Sequence, residues 1–175
     1  IANNHTPYAK YMVWGLIFGW LGDLFLHSLS DKMVHFALGV VAFLTGHIFY
    51  IKALQEAILT TNPEAPTFAW YEILIVLGIC VLVVVLALVF KVITKEKAPL
   101  AAGLCVYMAV ILAMLVKAGS FIIGEFAYGM NDNMLMICIT VGLGAILFVL
   151  SDGSLGIILG MGKKERGWRI FNIIT

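Results

Sequence analysis

Apolar runs of about 20 residues, the length that crosses a bilayer as a helix, alternate with short polar segments along the whole chain. The first run covers about residues 8–27, and residues 28–32 make a short polar turn. The second covers about residues 34–54. Gln55, Glu56, Asn62, Pro63, Glu64 and Pro66 then mark residues 55–70 as the longest loop. The third run, about residues 71–93, has no charge between Ile73 and Phe90 and reads as a packing or lipid-facing helix. Residues 91–97 form a basic turn. Pro99 suits the first turn of a helix and opens a fourth run that reaches about Val116. Residues 117–133, with Gly119, Gly124, Glu125 and Asn131-Asp132-Asn133, read as a loop. The fifth run starts near Met134 and either stops at Leu150 or continues through Ser151-Asp152 to Met161. Residues 163–169 are basic, and residues 170–175 begin a further apolar run. The pattern predicts an all-α, polytopic helical membrane bundle with about five to six spans. It forms a single domain over residues 1–175, without internal repeats.

A few polar groups interrupt these runs. Asp23 lies in Gly19-Trp20-Leu21-Gly22-Asp23-Leu24-Phe25-Leu26. A carboxylate there costs roughly 2.5–3.5 kcal/mol on insertion scales, so it faces a bundle interior or a watery cavity, unless it sits low enough to reach headgroup water. His47-x-x-Tyr50 and Ser151-Asp152 are set in the same way, although Ser-Asp-Gly-Ser is also what a solvated turn uses. At ~1.5 Å per residue, Asp23, Tyr107 and Asp152 fall at roughly 8–13 Å from one membrane face, and His47 at roughly 20 Å. The first three therefore suit one cavity, with His47 at its floor and Tyr50 deeper. Gly15, Gly19 and Asp23 share one helix face, as do Asp152, Gly156 and Gly160. Gly39, Phe43 and His47 form a third stripe. Small residues at this spacing allow close helix approach.

Composition agrees with a membrane protein: 62% of residues are hydrophobic and 12% charged, with a mean hydropathy of +1.04. The net charge of +1 gives no basis for nucleic-acid binding. Alternating the loops across the bilayer puts Lys32, Lys91, Lys95, Lys97, Lys163, Lys164, Arg166 and Arg169 on one side, and Lys10, Lys52 and Lys117 on the other. The richer side, with the basic segments 91–97 and 163–169, is expected to be cytoplasmic. Cys80, Cys105 and Cys138 lie in apolar surroundings and read as reduced packing residues. Asn4-His5-Thr6 matches a glycosylation sequon, a weak pattern. His27, His35 and His47 lack the close spacing of a metal site, so no metal and no cofactor are expected.

Three blocks carry a family resemblance. Gly22-Asp23-Leu24-Phe25-Leu26 comes first. Phe36-x-x-Gly39-x-x-x-Phe43-x-x-x-His47-x-x-Tyr50 follows, and then Gly144-Ala145-x-Leu147-Phe148-x-x-Ser151-Asp152. In this order they resemble the YhhN-type membrane proteins, which include lysoplasmalogenases (alkenylglycerophospholipid hydrolases). The resemblance favours a fifth helix continuous through Ser151-Asp152. It implies a full-length bundle of about eight spans of about 20 residues each. A span with a Lys-Pro pair is expected before residue 1, and one with a Tyr-Tyr pair and a Gln after Thr175. The chain therefore reads as a core without its terminal spans.

The activity that the resemblance implies is hydrolysis of the vinyl ether of a lysoplasmalogen. The products are a fatty aldehyde and glycerophosphoethanolamine or glycerophosphocholine. Protonation on carbon gives an oxocarbenium ion that water attacks, so one acid and one carboxylate suffice. Two nearby carboxylates hold one proton between them. Asp23 and Asp152 are the natural catalytic pair; Asp23 is taken as the acid and Asp152 as the base or stabiliser, an order that the sequence does not decide. His47 and Tyr50 position water or the glycerol part, and Tyr107 and Ser151 bond the polar end. The expected partners are a lysophospholipid and the bilayer. A non-enzymatic lipid-binding protein or small transporter is the alternative. A bundle whose polar groups only join helices is a third reading.

Overall fold

The computed structural model describes residues 6–28, 33–89, 98–129 and 132–161. Five α-helices account for nearly all of them: α1 (Pro7–Asp23), α2 (Met33–Thr61), α3 (Trp70–Val89), α4 (Ala98–Tyr128) and α5 (Asp132–Met161). A π-helical turn, Leu24–Ser28, extends α1. The basic segments 91–97 and 163–169, the sequon and residues 170–175 lie outside the described residues.

Local chemistry sets the helix starts. Pro7 occupies the first turn of α1, and the Thr6 hydroxyl caps it by accepting from the Ala9 N–H at 3.4 Å. Pro99 lies in the first turn of α4. At α3 the Glu72 carboxylate reaches back to the Ala69 N–H at 2.7 Å, half of a capping box.

Three helices are long and apolar enough to cross a membrane: Val34–Thr61, Ala102–Tyr128 and Met134–Gly153. The apolar stretch Trp70–Leu86 is shorter. α1, at 17 residues, meets the lower end of the ~17–25-residue range for spanning helices. The architecture is the expected helical membrane bundle. Leu74, Leu77, Val81, Leu82 and Leu88 of α3 are exposed, a surface that suits hydrocarbon since every helix satisfies its own backbone.

α4 is the hub. α2, α3 and α5 all pack on it, while α1 packs on α2. The α1–α2 contact is close because glycines line it. A Cβ at Gly15 would lie 2.4 Å from the Tyr50 ring, and one at Gly22 would lie 2.7 Å from Phe43. Gly46, on the α2 side, faces the Gly15 carbonyl. The packing of Gly156 and Gly160 lies outside the described side chains. One core cluster joins Leu54, Met114, Ala118, Phe121, Cys138 and Ala145; a second joins Phe43, Tyr107 and Ile111.

The structure corrects two boundaries and settles a third that the residues alone left open. Residues 117–128 are helical, not a loop. Lys117 and Glu125 are buried against neighbours, and α4 stops only where Gly129 adopts φ +92°, the left-handed terminator that glycine supplies. α2 runs past Leu54 to Thr61, burying Gln55, whose amide donates to the Ala65 carbonyl at 3.3 Å. This shortens the loop to residues 62–69. The fifth helix passes through Ser151-Asp152 to Met161 without a break.

Candidate functional site

Asp152 projects from the middle of α5 and Tyr107 from the first half of α4. The Tyr107 hydroxyl donates to Asp152 Oδ2. Tyr107 is buried and Asp152 half-buried, so the bond lies at the helix interface. A carboxylate that accepts from a phenol keeps its negative charge directed at a fixed point. Asp23 stays exposed where α1 gives way to its π-helical turn, a wider winding often found at functional sites. It lies within Coulombic range of both Tyr107 and Asp152.

His47 lies next to this group. Its side chain is 1% exposed, and Nδ1 sits 2.7 Å from the Phe43 carbonyl oxygen. A carbonyl only accepts, so Nδ1 carries the proton and Nε2 presents a lone pair. Among the described residues that Nε2 has no hydrogen-bond partner, and a buried acceptor left without a donor costs about 1–3 kcal/mol. Three rings stand edge-on to the imidazole: Phe148 at 4.6 Å, Tyr107 at 6.0 Å and Tyr50 at 6.2 Å between centroids. They hold it without meeting its polar edge.

The six residues singled out in the sequence are therefore placed as follows. Tyr107 and Asp152 are bonded, and Asp23 lies within Coulombic range of both. His47 stands against Tyr107 and Tyr50. Ser151 is half-buried, one position before Asp152, and is itself engaged. Phe148 and Phe43 are additional wall residues, 6.1 Å apart at their ring centroids. Their signal was present in the sequence, one helical turn before Asp152 and one before His47.

A second polar cluster escaped the sequence reading. Glu72 of α3, 1% exposed, meets Lys117 of α4, 2% exposed, at 3.2 Å. Glu72 also accepts from the Ser120 hydroxyl and the Ala69 N–H. The ammonium lies 5.1 Å from the Phe68 ring centre, a cation–π contact. The available signal was a lone lysine inside the apolar run 102–128, which demands an anion nearby. Among the described residues, no three His, Cys, Asp or Glu side chains converge in a metal-binding group.

The family model of the YhhN family matches residues 1–168. No curated protein and no solved structure matches the chain.

Proposed function

The chain belongs to the YhhN family, and from that premise we propose that it hydrolyses the vinyl ether bond of lysoplasmalogens. The products are a fatty aldehyde and glycerophosphoethanolamine or glycerophosphocholine. The observation that carries this reading is the Tyr107–Asp152 hydrogen bond, with a second carboxylate, Asp23, in Coulombic range. Two carboxylates that differ in partner and exposure match a reaction that needs one proton donor and one anion.

The proposed steps run in order. Asp23, protonated, gives its proton to the outer carbon of the vinyl ether. The double bond's electron pair forms the new C–H bond, and the inner carbon becomes an oxocarbenium ion. Asp152, held by Tyr107, stabilises that cation; charge placed in advance where a transition state develops it is the largest single catalytic term in many enzymes. Water then adds to the inner carbon. His47 Nε2 is the free acceptor that aligns this water, and Asp152 takes its proton. The hemiacetal breaks its bond to the glycerol oxygen, which takes the proton held by Asp152, while the hemiacetal hydroxyl returns a proton to Asp23 as the aldehyde forms and leaves. Tyr50 packs beside His47, and Ser151 bonds the polar end of the lipid.

The test is aldehyde release from a synthetic lysoplasmalogen by the protein in nanodiscs, with a chelator present. Asp23→Asn and Asp152→Asn should each lower turnover by about 10²–10⁴-fold, the usual share of an acid or base, while circular dichroism stays unchanged. Full turnover in either variant would remove the pair from the mechanism. A wild-type protein that binds the lipid without cleaving it would favour the lipid-binding alternative.

A further inference from the structure

An apolar cavity of about 460 Å³ lies beside the polar centre, within the ~300–1,000 Å³ range of small-molecule sites. Four helices wall it: Leu16 of α1, Tyr50 of α2, Met114 of α4, and Val141, Gly144 and Phe148 of α5. Its lining on α5 runs from Met136 to Phe148, about 18 Å of helix at ~1.5 Å per residue. Its lining is mostly apolar, which suits a hydrocarbon chain.

The cavity and the polar centre share one face of α5. Asp152, Phe148, Gly144, Val141 and Ile137 follow at intervals of three or four residues, so one face of α5 carries the carboxylate and then the apolar wall. Tyr50 and Phe148 line the cavity and also pack against His47. His47, whose Nε2 has no hydrogen-bond partner among the described residues, is thus joined to the cavity wall through these two rings. No Cα of α1 comes within 8 Å of one of α5 among the described residues.

We propose that this cavity is the slot for the substrate's hydrocarbon chain. The head of the lysolipid sits at Asp152 and His47, and the chain terminus lies near Tyr8 and Met136. The depth of the slot sets the preferred chain length. The proposal rests on the lysoplasmalogenase reading of the polar centre, and it can fail separately from it.

Gly144 is the position to change. A Cβ there meets nothing within 4 Å, so Gly144→Leu enters the slot without a clash, and leucine favours helix over glycine. The occupancy probe is a lysophosphatidylcholine with a saturated ether chain, which cannot be hydrolysed, and a diazirine at the chain end. Irradiation in nanodiscs should label wild-type peptides around Met136. Gly144→Leu should lower that labelling about tenfold, the loss expected when about two methylenes are displaced. Ile137→Ala, which lengthens the slot, should shift aldehyde release toward longer chains; Gly144→Leu should shift it toward shorter ones. Leu82→Phe, on the exposed face of α3, is the control and should leave the chain profile as in wild type. Labelling centred on α3, or equal labelling of Gly144→Leu and wild type, overturns the slot. Labelling at Met136 without any aldehyde release keeps the slot and overturns the hydrolase reading. Aldehyde release with the wild-type chain profile in both variants keeps the hydrolase and overturns the slot.

Discussion

Two polar clusters lie inside this bundle, and they are built on opposite terms. Around Glu72 every strong group has a partner: the carboxylate accepts from Lys117, Ser120 and the Ala69 N–H, and the ammonium also meets the Phe68 ring. Around Asp152 one bond is made, from the Tyr107 hydroxyl, and the neighbouring His47 Nε2 has no hydrogen-bond donor among the described residues. Satisfied polar groups in an apolar bundle fix helix positions. Unsatisfied ones hold free energy that a bound molecule can release. The comparison suits a role in stability for the first cluster and supports the chemistry proposed for the second.

The largest effect that could break this division is at Lys117. Lys117→Met leaves the Glu72 carboxylate buried without its cation, which costs about 3–5 kcal/mol when such a pair is broken. Thermal unfolding in detergent should show a large drop in Tm, and the double variant Lys117→Met with Glu72→Leu should recover most of it. A Tm unchanged by Lys117→Met would mean that the pair does not hold α3 to α4. Next in size is His47→Phe. It removes the unpaired acceptor and keeps a ring, so stability should stay level or rise slightly, while turnover falls by about 10²-fold. Loss of Tm with full turnover would reverse the assignment of the two clusters. The smallest change, Tyr107→Phe, deletes one charge-assisted hydrogen bond and should cost about 1.5–3 kcal/mol. If that bond serves catalysis, the loss appears mainly in turnover; if it serves folding, it appears in Tm.

The sequence made one cluster legible and hid the other. Asp23, His47 and Asp152 each interrupt an apolar run, and a helical rise is enough to place the two aspartates near one depth with His47 below them. The continuous fifth helix was undecided from Ser151-Asp152 alone, because the same residues make turns. Residues 117–128 misled for a related reason. Gly119, Gly124 and Glu125 read as loop in water, yet inside a bundle glycine is tolerated and a buried carboxylate can be accommodated. The Lys117–Glu72 pair joins residues 45 positions apart, a separation that periodicity does not encode. The close approach of α1 to α2 was signalled by Gly15 and Gly19. The counterpart glycine at Gly46 and the fit of Tyr50 over Gly15 depend on the crossing of two helices.

The two aspartates are carried by helices that do not pack on each other. Asp23 rides on α1, whose backbone is seated on α2; Asp152 rides on α5, whose backbone is seated on α4; and α2 meets α4. The bundle is in effect a pair of calipers, with α2 and α4 as the pivot and one carboxylate at each tip. A small rotation at the α2–α4 crossing would therefore change the gauge between the two carboxylates. The span between them is set by ring and glycine packing at Gly15, Tyr50 and Phe148.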